Sequence, residues 1–339
     1  MKITEIVEEE YADIKGNNRE TISLIESSKS FTELLSLYKF WLEDDKADWG
    51  FDVRSYNYAE KILTENRTEE LYSIDEITKF CFAIQPFVKR ENFKKSGAFL
   101  SALVNVHYKE INEKVKKNKE INQRVKRKNA NFLSKEYILV TEHITPLDTL
   151  CSHNNGADIT IQGNTGSNCC EFMQKGTVTL TGNAGNNLCF GSTGGKVIIR
   201  GNCGNWTGIE MENTTLEIFG NADNNLGYSM RKNSCIIVHK NTKDYTGKFC
   251  GGGIIKIYGD CGNYTGASMK KGVLIIKGKC GKNIGDKIEG GKIFLNEYES
   301  ISETLKEKNY NKNVKIYSKN KRVYPPNVFK RIWEYVIKD

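Results

Sequence analysis

The chain has 339 residues, of which 38% are hydrophobic and 27% charged, and its formal net charge is +8. The length indicates two domains, and only four prolines occur, which argues against a disordered chain. Because the N-terminal stretch lacks an apolar core of signal-peptide length and no run of about eighteen apolar residues occurs, we expect a cytoplasmic protein without membrane spans.

Residues 1–140 carry apolar residues at helical spacing. Three stripes recur: Phe31, Leu34, Leu35, Tyr38 and Leu42; Ile74, Ile77, Phe80 and Cys81; and Leu100, Val104, Tyr108, Ile111 and Val115. Ser73 and Glu76 have the spacing of a capping box, and Thr68 marks another helix start. These patterns predict a small α-helical domain with the stripes as its core.

A basic stretch follows the third stripe. Its cations are a candidate interface: Lys116, Lys117, Arg124, Lys126, Arg127 and Lys128. A basic helix end suits the phosphates of nucleic acid or an acidic protein surface. Because the stretch lacks interleaved aromatic residues and is diluted by Glu113 and Glu120, a solvated linker helix is favoured. Nucleic acid is the weaker alternative as a partner.

Further along, the sequence repeats with a period of nineteen residues and one slip to twenty. The register anchors are Gly163, Gly182, Gly201, Gly220, Lys240, Gly259 and Gly278. About fifteen and seventeen residues past each anchor stand two β-forming residues with one residue between them, such as Leu274 and Ile276 after Gly259. Such a coil is too short for a strand plus a helix, so we predict a parallel β-helix. Because Ile257, Ile276 and Leu295 occupy the same place in successive repeats, we expect them to stack in one interior column.

The recurrent glycines are interpreted as bends with positive φ, which glycine adopts without steric cost. One set is Gly166, Gly185, Gly204, Gly262 and Gly281, and the other is Gly208, Gly227, Gly247, Gly266 and Gly285. A ladder of side-chain amides is expected one residue past the anchors, at Asn164, Asn183, Asn202, Asn221 and Asn241. Asp260 and Lys279 should break it.

Three features that resemble ligand sites have simpler structural explanations. The acidic group Glu43–Asp45 has neither EF-hand spacing nor a nearby base, so it is interpreted as a solvated loop. The glycine-rich segments at 182–185 and 251–253 do not precede helices, as phosphate loops would.

Ten cysteines raise the question of a metal site. Cys203, Cys261 and Cys280 share a repeat position with alanines and threonines, which indicates a packing ladder of small side chains. No Cys-x-x-Cys occurs, and the side chains of Cys169 and Cys170 diverge if the segment is extended. We expect reduced thiols without metal or disulfides.

After Leu295 the coil pattern stops, and residues 299–308 predict a short capping helix. Residues 314–324 alternate like a strand pair around a Lys-Asn turn, and residues 328–337 predict an amphipathic helix. The predicted organisation is an α-helical domain with a basic linker helix at 1–140, a parallel β-helix at 141–298 and a C-terminal cap and helix at 299–339.

The thirteen-residue pattern Gly-x-x-Met-x-x-Gly-x-Leu-x-Ile-x-Gly at 266–278, with looser copies at 208–220 and 247–259, carries a family resemblance. It resembles the repeats of the β-helical subunit of formylmethanofuran dehydrogenase and of the C-terminal domain of the glutamate synthase large subunit, which are grouped as the GXGXG family. The resemblance spans about residues 144–296. It implies a right-handed parallel β-helix in which the anchor glycines and Met173, Met211 and Met269 are structural repeat residues.

The chain departs from the family pattern at several places. Cys170 and Cys189 replace the second bend glycine, and Lys240 replaces an anchor. Asn213-Thr214 and Asn233-Ser234 replace the glycine before the strand.

No nucleophile, base and acid set is readable, and three functions remain open. The first is a non-catalytic β-helix subunit or scaffold of a multi-subunit oxidoreductase, like formylmethanofuran dehydrogenase or glutamate synthase. Such a scaffold is expected to dock through the strand faces of the late coils at 259–291 together with the helical domain. This resemblance implies no cofactor in this chain, with molybdenum or tungsten, flavin or iron–sulfur centres only in partner subunits of a hetero- or homo-oligomer.

The second is a free-standing protein- or nucleic-acid-binding protein that uses the basic helix. The third is an enzyme with a cryptic acidic cleft for polysaccharide, although Asp223, Asp244, Asp260 and Asp286 share no repeat position.

Overall fold

The computed structural model describes residues 29–44, 53–66, 72–88, 92–121, 136–142, 146–307 and 313–324. The helices are α1 (Lys29–Glu43), α2 (Val53–Glu65), α3 (Ile74–Ala83), α4 (Phe93–Ile121) and α5 (Thr304–Glu307), with a 3-10 turn at Gln85–Phe87. The strands are β1 (Tyr137–Thr141), β2 (Ile159–Gly163), β3 (Thr177–Leu180), β4 (Gly195–Ile199), β5 (Thr214–Ile218), β6 (Cys235–Val238), β7 (Gly251–Ile257), β8 (Lys271–Ile276), β9 (Lys279–Cys280), β10 (Gly291–Leu295), β11 (Glu297–Tyr298), β12 (Val314–Ser318) and β13 (Lys321–Tyr324).

Eleven of the strands form one sheet in the order β1-β2-β3-β4-β5-β6-β7-β8-β10-β12-β13. Each strand pairs in parallel with the strand one coil later, and among the described strands only β12 and β13 pair antiparallel. A second, two-stranded sheet joins β9 and β11. The fold is therefore a mainly β parallel solenoid of about nineteen residues per coil with N-terminal helices, which confirms the predicted fold class.

The apolar pairs of the repeat form the inner columns of the solenoid. Val197 pairs with Val178 and Leu216, and Ile257 pairs with Ile276. These side chains are almost completely buried. The register between β8 and β10 places Leu295 next in the same column as Ile276, so the predicted stack is confirmed. Because parallel coils lie about 4.8 Å apart, each inner side chain contacts its equivalents above and below.

The helical stripes form a core as predicted. Phe31, Leu34, Tyr38 and Phe80 are buried, whereas the later stripe members Leu42, Ile74, Tyr108 and Ile111 are only partly so. The capping box is confirmed, because the Ser73 N–H donates to Glu76 Oε2 at 2.6 Å and the Glu76 N–H donates to Ser73 Oγ at 3.1 Å. The predicted helix start at Thr68 and the Val115 side chain lie outside the described residues.

Helix α4 packs directly on the first coils. Ser101 Oγ donates to the Thr149 carbonyl oxygen at 2.9 Å, and Asn105 Nδ2 donates to the Ser152 carbonyl oxygen at 3.1 Å. The buried residues of helices and coils form one continuous hydrophobic cluster. The helices therefore cover the N-terminal end of the stack, which would otherwise expose its inner columns to water.

The C-terminal end corrects two expectations. The coil pattern does not stop after Leu295, because β11 pairs with β9, Ile301 bridges Ile284 and β12 continues the main sheet. Of the expected helix at 299–308, the structure describes 299–307, and only Thr304–Glu307 is helical within it, since the residues before Thr304 pair with the preceding coil. The expected strand pair is confirmed, with Lys319 and Asn320 at φ 47° and 64° in its turn. The amphipathic helix predicted at 328–337 lies outside the described residues.

The two sets of bend glycines differ in their backbone conformation. The set that includes Gly208 and Gly266 has positive φ as expected, at 73° and 72°. The set that includes Gly185 does not, and that expectation is wrong. A Cβ at Gly185 would lie only 2.6 Å from the Gly166 carbonyl carbon, so glycine is needed there for the close approach of successive coils.

The departures from the repeat pattern have local explanations. Cys170 and Cys189 adopt the left-handed φ of the glycine that they replace, at 58° and 59°. Where Thr214 and Ser234 occupy the place of the glycine before the strand, the preceding Asn213 and Asn233 take the left-handed conformation. The bend is thus shifted by one residue in these two coils, because asparagine adopts positive φ more readily than threonine or serine does.

The amide ladder is confirmed and is longer than expected. Asn183 Oδ1 accepts the Asn202 N–H at 2.8 Å, and Asn241 Oδ1 accepts the Asp260 N–H at 2.9 Å. Asp260 does not break the ladder, because its carboxylate accepts the Lys279 N–H at 2.7 Å. The ladder ends at Lys279, whose side chain cannot accept a hydrogen bond.

A second ladder runs parallel to the first, three residues further along each coil. Its rungs join Asn186, Asn205, Asn224, Asp244, Asn263 and Lys282. The signal was present in the sequence as an Asn or Asp three residues after every member of the first ladder except Asn164, where Ser167 stands instead. Within the described residues, no helix is both long and apolar enough to cross a membrane.

We expect Ile276→Asp to lower the free energy of unfolding by at least about 3 kcal/mol, because it buries an unpaired carboxylate between two coils. The matched control is Ile275→Asp, whose side chain points away from the core and which should cost about 1 kcal/mol or less. Urea unfolding followed by circular dichroism measures both. Equal losses in the two variants would show that the register is wrong.

We expect Gly97→Ala to lower the melting temperature, although alanine normally stabilises a helix interior by about 1 kcal/mol relative to glycine. The added Cβ would collide with the Asp148 carbonyl oxygen where α4 meets the first coils. Lys109→Ala, at an exposed position of the same helix, is the control and should change stability by about 0.5 kcal/mol at most. A Gly97→Ala protein as stable as the parent would contradict the packing of α4 on the coils.

Candidate docking surface on the outer face of the sheet

The residues singled out from the sequence do not converge on one site. Met173, Met211 and Met269 are completely buried in the core, and the anchor glycines lie where successive coils approach closely. Lys116 is exposed on α4, and Lys117 belongs to the same helix. The remaining cations of the candidate basic interface, Arg124 and those at 126–128, lie outside the described residues.

The surface with the most unusual composition is the outer sheet face. It includes strand faces of the late coils at 259–291, where docking is expected from the sequence, and extends back to β4. It consists of the outward side chains on β4–β8, β10 and β12, together with those just after β4–β8, in three columns set by the parallel register. The columns are Lys196, Thr215, Cys235, Ile254, Val273, Lys292 and Lys315; Ile198, Glu217, Ile237, Lys256, Ile275, Phe294 and Tyr317; and Arg200, Phe219, His239, Tyr258 and Lys277.

The centre of the outer sheet face is apolar. Ile254 and Tyr258 are each 45% exposed, and Ile237, Val273 and Ile275 are half-buried around them. Strands β6 to β8 therefore read as nearly continuous apolar runs rather than as alternating ones. Such runs are typical of parallel strands that are covered on both faces, whereas here the described residues cover only the inner face.

A stack of rings runs along one column of this face. His239 lies between Phe219 and Tyr258, with ring centroids 4.5 and 5.3 Å away and nearly parallel planes. The Arg200 guanidinium lies 4.4 Å from the Phe219 ring, and Lys256 Nζ donates to the Tyr258 hydroxyl at 2.7 Å. Because they are stacked between neighbours, Phe219 and His239 offer edges rather than faces to a ligand.

The charges on the outer sheet face are mostly positive. Its cations are Lys196, Arg200, Lys256, Lys277, Lys292 and Lys315. No salt bridge engages any of them within the described part of the chain. The one carboxylate of the face, Glu217, lies 3.0 Å from His239 Nε2. The face thus combines an apolar centre with uncompensated positive charge.

A separate polar cluster lies where the helices meet the first coils. Ser152 Oγ is 2.7 Å from His153 Nδ1 and 3.3 Å from Glu171 Oε1, and Tyr56 stacks on His153 at 4.3 Å. Burial raises the pKa of Glu171 to about 7 and lowers the pKa of His153 to about 4. The repeat register was the available signal, because Ser152 and Glu171 are nineteen residues apart.

This cluster lacks the order of an acyl-transfer triad. In such a triad the imidazole lies between the nucleophile and the acid, whereas here the Ser152 hydroxyl lies between His153 and Glu171. Ser152 is also only 1% exposed, so a substrate has no access to its oxygen. The geometry favours a structural role at the junction of helices and coils.

The buried thiols also correct one expectation. Cys169 and Cys170 do not diverge, because Cys170 is left-handed rather than extended and the two Sγ atoms lie 3.7 Å apart. The packing ladder is confirmed by the bridges from Ala184 to Cys203 and from Cys261 to Cys280. Burial raises the pKa of the Cys203 thiol well above its ordinary value. Among the described residues, no group of three or more His, Cys, Asp or Glu side chains is arranged to hold a metal ion.

Comparisons with known proteins add no further assignment. No protein-family model matches the chain, and no curated protein matches its sequence significantly.

We expect Glu171→Gln to remove a pH-dependent loss of stability. The pKa of Glu171 is raised from 4.5 to about 7, so the folded state favours its neutral form. The resulting stabilisation is present below about pH 4.5 and is lost as the pH rises through 7. Between pH 4.5 and 8.5 the parent should therefore lose about 3 kcal/mol relative to the variant.

Chemical denaturation across this pH range measures the difference, in which the opposite contribution of His153 cancels because both proteins contain it. Glu142→Gln, at an exposed position, is the control and should follow the parent. Parallel pH profiles for the parent and Glu171→Gln would contradict the burial of Glu171.

Proposed function

We propose that the chain is a non-catalytic β-helix scaffold that binds a protein partner through the outer sheet face. The observation that carries this proposal is the apolar character of β6–β8 on the side that the described residues leave uncovered. Contiguous exposed apolar patches on soluble proteins commonly mark interaction sites.

The size of the face is consistent with such a contact. Six strand spacings of about 4.8 Å give a length of about 29 Å from β4 to β12. Covering one large aliphatic side chain contributes about 1.5–3 kcal/mol, whereas association costs at least about 4 kcal/mol in lost freedom of motion. A partner must therefore cover several of these residues at once, and the flat sheet presents them together.

The family resemblance supports a scaffold rather than a catalytic subunit. In the segment at 266–278, Met269 is buried, Gly272 has positive φ, and Leu274 and Ile276 point inward. Every distinctive residue of this pattern thus has a structural role. We accordingly propose a subunit of an oxidoreductase of the formylmethanofuran dehydrogenase or glutamate synthase kind, in which molybdenum or tungsten, flavin or iron–sulfur chemistry belongs to the partner subunits.

A second candidate function is binding through the basic end of α4. The supporting observation is that Lys114 and Lys116 are exposed there. In this case the chain would be a free-standing protein that binds nucleic acid or an acidic protein, and substitutions on the outer sheet face would leave its binding unchanged.

We expect the double variant Ile254→Ser/Tyr258→Ser to bind its partner with an affinity at least about tenfold lower, because it removes the two most exposed apolar side chains of the face. Affinity isolation of the full chain from its source organism, with protein and cofactor analysis of the eluate, measures this. Lys240→Ser, exposed but outside the face, is the control. Unchanged melting temperatures would show that all variants fold.

A co-purifying oxidoreductase subunit that the double variant loses and the control keeps supports the proposal. A partner that the double variant retains, or catalytic turnover by the isolated chain, contradicts it.

A further inference from the structure

We propose that the partner surface is acidic, with an apolar centre and carboxylates that pair with the cations of the outer sheet face. This inference rests on the proposed docking function and specifies the chemistry of the partner. It is carried by the placement of charge around the apolar centre.

The cations stand at both ends of the apolar centre. Lys196 and Arg200 flank it at β4, and Lys277, Lys292 and Lys315 flank it from β8 to β12. All except Lys315 are exposed. A typical interface has an apolar core and a polar rim, and this arrangement has the same layout with one sign of charge in the rim.

The face cannot neutralise these charges itself. Its single carboxylate, Glu217, is engaged by His239 at 3.0 Å. A partner with lysine or arginine in its contact surface would place like charges together, which costs several kcal/mol across an interface. A partner with carboxylates in register gains both association rate and specificity.

The same charges argue against two other occupants. A second copy of this chain, packed face to face, would bring cations against cations. Single-stranded nucleic acid binds through phosphate contacts and base stacking, but Phe219 and His239 are covered by each other, by Arg200 and by Tyr258. Tyr258 is itself stacked on His239, and Lys256 Nζ lies 4.4 Å from the centroid of its ring. The aliphatic side chains at the centre offer bases no hydrogen-bond partners.

A random twelve-residue peptide library displayed on phage, selected against the full chain, tests the inference. Enriched peptides should combine Asp or Glu with aliphatic or aromatic residues. A synthetic peptide of the selected sequence should bind at least about tenfold more weakly to Lys277→Glu/Lys292→Glu than to the parent, and its affinity should fall between about 0.1 and 0.5 M salt. Lys240→Glu, an exposed cation outside the face, is the matched control and should bind like the parent.

The outcomes separate the inference from the proposed function. The selected peptides could instead be neutral or basic, and bind to Lys277→Glu/Lys292→Glu but not to Ile254→Ser/Tyr258→Ser. This result would overturn the inference of an acidic partner and leave the docking proposal intact. If the parent enriches no peptides beyond those that Ile254→Ser/Tyr258→Ser enriches, both the inference and the docking proposal are overturned. Binding of a twenty-nucleotide oligo-dT that the charge reversal abolishes, without any selected acidic peptide, would assign the face to nucleic acid and overturn the inference.

Discussion

Each coil satisfies the polar groups of its bends through the coil beside it, and the remaining structure depends on this constraint. Asn202 Oδ1 accepts the Asn221 N–H at 2.8 Å, and the same bond recurs one coil before and one coil after. These hydrogen bonds lie on the exposed side of the coils, where each contributes about 0.5–1.5 kcal/mol, and their recurrence in successive coils fixes the spacing and register. The ladder also requires glycine beside it, because a Cβ at Gly201 would lie 2.5 Å from Asn183 Oδ1.

The interior of the solenoid could be predicted from the sequence more completely than its outer surface. A fixed period assigns each residue a place in the coil, and parallel stacking then places Ile257 beside Ile276 without further information. The capping box of α3 was equally readable, because both of its hydrogen bonds are local. Long-range packing of α4 on the first coils had no comparable signal, since no repeat relates Gly97 to Asp148.

Backbone conformation was harder to predict than position. Glycine at a recurring place indicates either a positive φ or a close approach, and the sequence does not distinguish them. Gly208 has the first property and Gly185 the second. The left-handed residue also moved by one place, to Asn213, where threonine follows it. The apolar composition of the outer sheet face was not recognised for a related reason: the inner apolar pairs identify the strands, so the apolar residues between them were interpreted as part of the same signal.

The two faces of the sheet have different energetic roles. Inner columns are filled by equivalents from neighbouring coils, so their burial is complete within one chain. Outer columns have the same apolar residue types at β6–β8 but no neighbouring element among the described residues. The helices provide such a cover only for the N-terminal end, where α4 contacts the Thr149 and Ser152 carbonyl oxygens.

The reversal of chain direction at β13 determines where the stack stops growing. A parallel stack normally ends in an edge that repeats the hydrogen-bonding pattern of every strand before it, so another molecule can add to that edge. Here the last strand of the described residues, β13, runs antiparallel to β12 and carries exposed Lys321 and Arg322. The parallel ladder of the described coils therefore ends at β12, whose outer edge is occupied by an antiparallel strand of the same chain rather than left open as a template for a further parallel coil.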